Sequence, residues 1–273
     1  MEKILKKILE KIARPITNKV LKFRGKHEGE SCYIFADGIS VKWFDLEALP
    51  KRIGFSLNRF PFHKQSNSLN LKYGIHLNSF YFYPYIRLPA WGNKKWWRNK
   101  IKDKDIDLFK KNKKSDYFVS LSNYPTLRGN NIYHLFRKIN DPNFEYLQEC
   151  YTNEIGIYDG SLHAAISLAI YMGFEDIVLV GCDYTHENSR MGHWYEKGEG
   201  IILPYVDYEK KFFNIASKYA NIKTITLDGG SSVLPSITYS KYTGRPLCYH
   251  ENHEITDIET LKLLATWPDY KIF

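Results

Sequence analysis

The chain has 273 residues, a net charge of +9, and 44% apolar and 16% aromatic side chains, enough for one globular domain with a proper core. No run of roughly 18 apolar residues occurs, so no bilayer span is expected, and the N-terminal apolar positions are broken by charge too often for a signal peptide. Cys32, Cys150, Cys182 and Cys248 lie far apart without a C-x-x-C pair, which excludes a disulfide framework or zinc knuckle and suggests buried thiols in a reducing compartment.

The charge is unevenly placed. Residues 1–28 carry nine Lys/Arg against three Glu, residues 93–114 carry ten against three Asp, and the remainder is net −4. This describes a slightly acidic body with two basic attachments.

In chain order, residues 2–13 place Ile4, Leu5, Ile8, Leu9 and Ile12 on one helical face and lysines on the other, with Pro15 limiting the helix. Such a helix suits the interface of an anionic membrane; packing on its own domain, or on a second copy in a homo-oligomer, is the alternative. Ser31 to Ser40 reads as a strand running into a tight turn at Gly38, Asp45 caps a short helix through Leu49, and Arg52 to Leu57 is a second strand that delivers Asn58. Phe80 to Pro84 is an aromatic strand or strand edge.

From Trp91 to Lys114 tryptophans and cations interleave, predicting a second contact with the same surface, with a plain solvated loop as the alternative. Single-stranded nucleic acid suits that composition too, but no RNP-like or G-x-x-G clamp accompanies it, so nucleic acid is not an expected partner. Asp116 to Ser122 is a further strand, leading into Asn123 and Tyr124.

The central stretch is Ile157 to Thr185. Asp159 stands at an N-cap position, Leu162, Ala165, Ile166, Ala169 and Ile170 form a helical stripe, and Gly173 stands where the chain leaves the helix. Ile177 to Val180 then has the length and branching of a strand covered on both faces, and it ends at Asp183. Ligands of open α/β sheets bind beyond the carboxyl ends of strands, which aims Asp183 at a site and lets the helix start at Gly160 and Ser161 offer N–H groups to an anion. The bland alternative is a core unit in which Asp183 merely caps the next turn.

His186 to Gly200 is a polar loop containing His193, Trp194 and Tyr195, Asp207 to Ala220 is a helix, and Ile222 to Leu227 is the last central strand. The alternation predicts an α/β fold, a mostly parallel Rossmann-like sheet with helices on both faces. The expected boundaries are residues 1–28 for the basic helix and linker, 29–240 for the catalytic domain, and 241–273 for an extension. Neither a G-x-G-x-x-G fingerprint nor a P-loop occurs. His250 and His253 are three apart, but H-E-x-x-H is absent and no metal is expected.

Two resemblances rest on these residues. The first strand, its Gly turn and the strand ending in Asn58, then Phe118 to Tyr124 and Gly160 to Tyr184, resemble the bacterial sialyltransferases of glycosyltransferase family 42. His193-Trp194-Tyr195, Asp207 to Ala220 and Leu234 to Ile237 resemble the 6-hydroxymethylpterin diphosphokinase-like family, domain of unknown function 115. Together they cover roughly residues 30–240.

The first resemblance implies a GT-A-type nucleotide-sugar fold, an inverting transfer from a CMP-linked nonulosonate without an essential metal, and a histidine general base, for which His193 is the candidate. It places Asp37, Gly38, Ser40, Asn58 and Ser161 on donor-binding positions, where Asp37 replaces an asparagine. Asn123, Gly160, Tyr184 and Tyr195 complete the expected donor set, with Asp183 beside His193 as catalytic, and Tyr184, Tyr195 or Tyr205 would steady the phosphate because Thr185 stands where a tyrosine is expected.

The expected function is a cytoplasmic, peripherally membrane-bound glycosyltransferase of surface polysaccharide or lipooligosaccharide synthesis, its glycan or lipid-linked acceptor reached through residues 1–14 and 91–114 on an anionic membrane. The alternatives are a pyrophosphokinase with Mg²⁺ between Asp37 and Asp183, and a non-catalytic membrane-bound assembly partner.

Overall fold

The computed structural model describes residues 11–83, 95–135, 160–203, 210–251 and 258–264. In chain order its strands are β1 (Ser31–Phe35), β2 (Ile53–Leu57), β3 (Asn70–His76), β4 (Asp116–Ser120), β5 (Ile132–Leu135) and β6 (Asp176–Val180). A hairpin of β7 (Arg190–Met191) and β8 (Ile201–Ile202) follows, then β9 (Asn221–Thr226) and β10 (Ser236–Thr238). Eight of these form one sheet in the order β10-β9-β6-β1-β2-β3-β4-β5. Every pairing in it is parallel.

The apolar runs are explained by cover on both sides. Along β6, Ile177 and Leu179 enter one core while Val178 and Val180 enter the other, the period-two alternation of a doubly buried strand. With the helical residues 11–17 as α1, the chain from β1 to β5 packs short 3₁₀ turns and helix α2 (Lys95–Lys111) on the face holding Phe35, Phe60, Ile101 and Phe109. The return to β6 and β9 runs through α3 (Ser161–Tyr171) and α4 (Lys210–Ala216), on the face holding Phe23, Ala165, Leu168 and Phe212. Strand order therefore reverses between β1 and β6, and a crevice at the carboxyl ends of such a pair is where open α/β sheets take ligands.

Local chemistry matches several expectations. Asp45 caps the 3₁₀ turn Leu46–Ala48 by accepting from Glu47 N at 3.1 Å. Helix α3 is buried almost all round, and its exit at Gly173 has φ +91° with Phe174 N donating to Ala169 O at 3.1 Å, a Schellman closure that favours glycine. Asp159 lies outside the described residues, and the N-cap position is held by Gly160 with no side-chain capping bond.

Other expectations are corrected. Phe80 to Phe82 is a turn and not a strand; Tyr81 and Phe82 fold inward and Pro84 lies outside the described residues. The strand expected through Ser122 ends at Ser120, because Leu121–Asn123 coils into a 3₁₀ turn. Residues 95–111 are helical, not a solvated loop: Ile101, Asp105 and Phe109, spaced at i, i+4 and i+8, are buried against the sheet. The helix expected over Asp207 to Ala220 ends at Ala216, because residues 217–219 form a turn before β9; residues 207–209 lie outside the described residues.

Of the basic N-terminal helix, residues 1–10 lie outside the described residues and 11–17 are helical. Trp91 and Tyr205 also lie outside them. Among the described residues no helix is long and apolar enough to cross a membrane.

Both flanks of the described residues are knitted into the domain. Val20 and Phe23 enter one core; Leu264 of the C-terminal helix α6 (Ile258–Leu264) enters the other, where helix α5 (Tyr239–Thr243) adds Tyr239. Cys248 N donates to Trp43 O at 3.3 Å and His250 N to Lys42 O at 2.8 Å, so the C-terminal segment runs along the turn that follows β1.

Candidate functional site

The carboxyl ends of β6, β1 and β2 carry most of the polar residues singled out above. Beyond β1, Gly38 N donates to Gly181 O at 2.9 Å, drawing the turn against the exit of β6. Asp183, 3% exposed, accepts Ser40 N at 2.9 Å on one carboxylate oxygen and the Ser40 hydroxyl on the other. The two residues thus lock the exits of β1 and β6 together. The adjoining crevice is lined by Ser40, Asp183, His186, Arg190, Thr226 and Asp228.

On the β2 side, Asn58 has φ +43°, uncommon for a residue with a side chain, and its Oδ1 accepts the Ser161 hydroxyl at 3.0 Å. That bond ties the end of β2 to the start of α3. Gly160, with φ +90°, has open space where a side chain would stand. Asn123 is fully buried: its amide donates to Asn78 O at 2.9 Å and its carbonyl accepts Phe82 N at 3.1 Å, so it braces the loop beyond β3.

Asp37 faces inward. Its Oδ2 accepts Arg59 N at 3.1 Å, its Oδ1 accepts the Trp194 indole N–H at 3.4 Å, and its backbone carbonyl accepts Trp194 N at 3.0 Å. Burial raises its pKa above the usual carboxylate range, against the opposing pull of His193 and Arg59. A carboxylate at this position therefore braces the loop from within instead of opposing an anionic ligand.

His193 forms an antiparallel bridge with Gly38, which suspends the loop over the β1 turn. Its Nδ1 lies 2.8 Å from Glu196 Oε1, its ring stacks on Tyr195 at 5.0 Å and 14°, and its side chain is 19% exposed. Tyr195 is 6% exposed and Tyr184 is 42% exposed. Burial raises the Tyr184 hydroxyl above its ordinary pKa, with Asp183 and Glu196 adding to the effect.

Contacts thus run from Ser161 through Asn58 and its neighbour Arg59 to Asp37, and from Asp37 to the His193 loop. His163 packs against Phe212 at 4.1 Å inside the α3–α4 interface, and His186 Nε2 lies 3.1 Å from Thr224 Oγ1. Among the described residues no group of three or more His, Cys, Asp or Glu side chains is placed to hold a metal ion.

Three features escaped the sequence reading. Arg59, immediately after Asn58, pairs with Asp105 of α2 at 3.0 Å and donates to Tyr81 OH at 2.9 Å, while His76 Nδ1 lies 3.5 Å from Arg59. Arg59 and Asp105 are both nearly fully buried, and burial pushes the Asp105 carboxyl up to about 6. Lys42, whose side chain is fully buried, donates to the carbonyls of Glu196 and Gly198 and pairs with Glu251 at 3.2 Å, so it grips the His193 loop. Glu196 is the third; its only sequence signal is the i, i+3 spacing from His193.

No protein-family model matches the chain, and no curated protein does. The sialyltransferase CstII from Campylobacter jejuni, solved with the substrate analogue CMP-3FNeuAc, is similar at 12% identity and a TM-score of 0.45, over 86% of this chain and 99% of that one. A variant of sialyltransferase Cst-II in complex with CMP is similar at 13% identity and a TM-score of 0.43, over 87% of this chain and 99% of that one. The CstII complex with cytidine-5′-monophosphate gives 12% identity and a TM-score of 0.43, over 88% and 99%.

Proposed function

We propose that the protein is a glycosyltransferase that moves a sugar from a nucleotide donor to a hydroxyl of a glycan. The observation that carries this reading is the bridge between Gly38 and His193, which joins the backbone of the histidine to the turn beyond β1, beside the point where strand order reverses. Transfer needs a base for the acceptor hydroxyl and donors for the departing phosphate. His193 serves as the base, because imidazole accepts a proton near neutral pH. In this reading Asn58, Ser161 and the helix start at Gly160 would border the donor's place, and the Tyr184 hydroxyl would face its phosphate.

Asp183, Ser40 and Asp37 act in this proposal by positioning: they fix the turn on which Gly38 and the His193 loop rest. A CMP-linked nonulosonate is the leading donor, following the family 42 resemblance of residues 30–240. Atoms balance as an inverting displacement. The acceptor proton passes to His193, the acceptor oxygen bonds to the anomeric carbon, and the bond from that carbon to the phosphate oxygen breaks with its electron pair leaving on CMP.

The Mg²⁺-dependent pyrophosphokinase reading gains no support, because Asp37 and Asp183 each engage both oxygens with donors from the protein. Membrane-surface binding through residues 1–14 and 91–114 belongs to the same proposal and would bring a lipid-linked acceptor within reach; Lys110, Lys111, Lys113 and Lys114 are exposed.

The test is incubation of the purified protein with CMP-sialic acid and related CMP-linked sugars, following CMP release with and without glycan acceptors. Absence of turnover and of binding with every CMP-linked donor would overturn the donor assignment. Full cellular function of His193→Ala would overturn the enzyme.

A further inference from the structure

We infer that Glu196 is the positioning residue of His193, holding the ring in its Nδ1–H tautomer so that Nε2 is the nitrogen that takes the acceptor proton. This deepens the transferase reading above and rests on it for the identity of the proton donor, but the tautomer claim concerns the folded protein alone.

Three observations converge. The Nδ1 of His193 lies 2.8 Å from Glu196 Oε1, a hydrogen-bonding distance at which a carboxylate accepts from Nδ1–H. A neutral imidazole has one N–H and one lone pair, so donation from Nδ1 leaves the lone pair on Nε2. Second, the ring cannot turn freely. Tyr195 stacks on it at 5.0 Å and 14°, and Tyr195 is itself set edge-on against the fully buried Trp194 at 5.2 Å and 85°. Third, the carboxylate is anchored: Glu196 is 6% exposed, its backbone N donates to His193 O at 2.9 Å, and its carbonyl accepts the ammonium of the buried Lys42.

The arrangement fixes plane and tautomer separately. Tyr195 sets the orientation of the ring and Glu196 sets the proton. When Nε2 takes the acceptor proton, the resulting imidazolium lies beside the Glu196 carboxylate, which stabilises the charge at the moment it forms. Lys42 carries this arrangement without touching the imidazole, through the Glu196 and Gly198 carbonyls and through Glu251.

The experiment is ¹⁵N NMR of the full chain labelled at histidine, with the His193 signal identified by its loss in His193→Asn. The wild-type protein is expected to show His193 protonated at Nδ1. Glu196→Gln retains an acceptor and keeps that tautomer, whereas Glu196→Ala releases the ring to the Nε2–H form that free imidazole side chains favour. Wild-type His193 protonated at Nε2, or a Glu196→Ala spectrum like wild type, would overturn the assignment whatever the enzyme's activity.

In the CMP-release assay, kcat of Glu196→Ala is expected to fall about 100-fold with KM for the donor unchanged, and Glu196→Gln to fall less. Equal losses in kcat and donor affinity, or an unchanged kcat, would overturn the positioning role. A wild-type protein that shows the Nδ1–H tautomer but no turnover would leave Glu196 in place and reject the transferase.

Discussion

Gly38 lies against Asp183 so closely that a methyl group on Gly38 would sit 2.6 Å from Asp183 Cγ and 2.3 Å from Gly181 O. Its backbone, at φ −59° and ψ 149°, suits any residue, so the requirement for glycine is purely one of space. Gly38→Ala must therefore push the exits of β1 and β6 apart. It is expected to cost about 1–3 kcal/mol in chemical denaturation. It also moves the bridge to His193, so donor turnover should fall further than stability; an alanine variant equal to wild type in both would refute the tight approach.

Asp183 and Ser40 make a paired prediction. The carboxylate accepts both the backbone N–H and the hydroxyl of Ser40, whereas an amide at that position keeps one acceptor, forces the Ser40 hydroxyl to turn and accept from its NH₂, and loses the charge that strengthens both bonds. Asp183→Asn is expected to lose about 1–3 kcal/mol, and Ser40→Ala about 1 kcal/mol. If the two act through each other, the double variant will cost less than the sum of the single ones. Strict additivity in urea unfolding would show that the contact contributes nothing.

Beneath the loops, the pair formed by Arg59 and Asp105 joins the residue after Asn58 to the middle of α2. Removing one charge leaves the other buried without its counterpart, so Asp105→Asn is expected to destabilise the fold by about 3–5 kcal/mol. Replacing both residues with apolar side chains of similar volume should recover much of that loss. A single variant with an unchanged denaturation midpoint would contradict the burial of the pair.

The histidines set the acid limit. Burial lowers His27, His76, His134 and His186 below the usual imidazole range and brings His63 down to about 4. Their folded values are depressed, so their contribution is complete above the unfolded value near 6.5 and is lost as pH falls through the folded one. Asp37 and Asp105 act in the opposite sense: burial raises both, and for Asp105, pushed up to about 6, this favours the folded state as pH drops below that value. Five depressed imidazoles stand against two raised carboxyls. The urea midpoint is expected to fall from pH 7 toward pH 4, with a shallower slope in His63→Gln. A midpoint that stays level or climbs on acidification would be the contrary result.

What the sequence made legible followed its regular patterns. The α3–β6 unit was readable because a helical stripe, a terminal glycine and a branched apolar run occur in succession. Strand β3 was missed because Lys72 and Gly74 break its pattern. In the sheet Gly74 makes room for the Tyr117 ring, which would lie 2.5 Å from an added methyl.

Helix α2 was hidden by its central inward position. Between Ile101 and Phe109 stands Asp105, a charge that belongs on a buried face only once Arg59 is known to meet it. The same holds for Asp37, which alone suggests a clash with a nucleotide and in place serves Arg59 and Trp194. Among the candidate residues, Asn58 and Ser161 do meet, while Asn123 is occupied by its own loop. Pairings of this kind join residues far apart in the chain and leave no periodic trace.

The grip of Lys42 on Glu251 spans 209 positions of sequence. During synthesis the lysine thus leaves the ribosome long before its counter-ion exists, and the parallel neighbour of β1 on one side, β6, is itself delayed until residue 176. A nascent chain holds its turn and half its sheet in waiting, with the loop bearing the imidazole among the last parts to settle. Slow maturation of binding capacity behind the gain of compactness is the kinetic signature such wiring should leave.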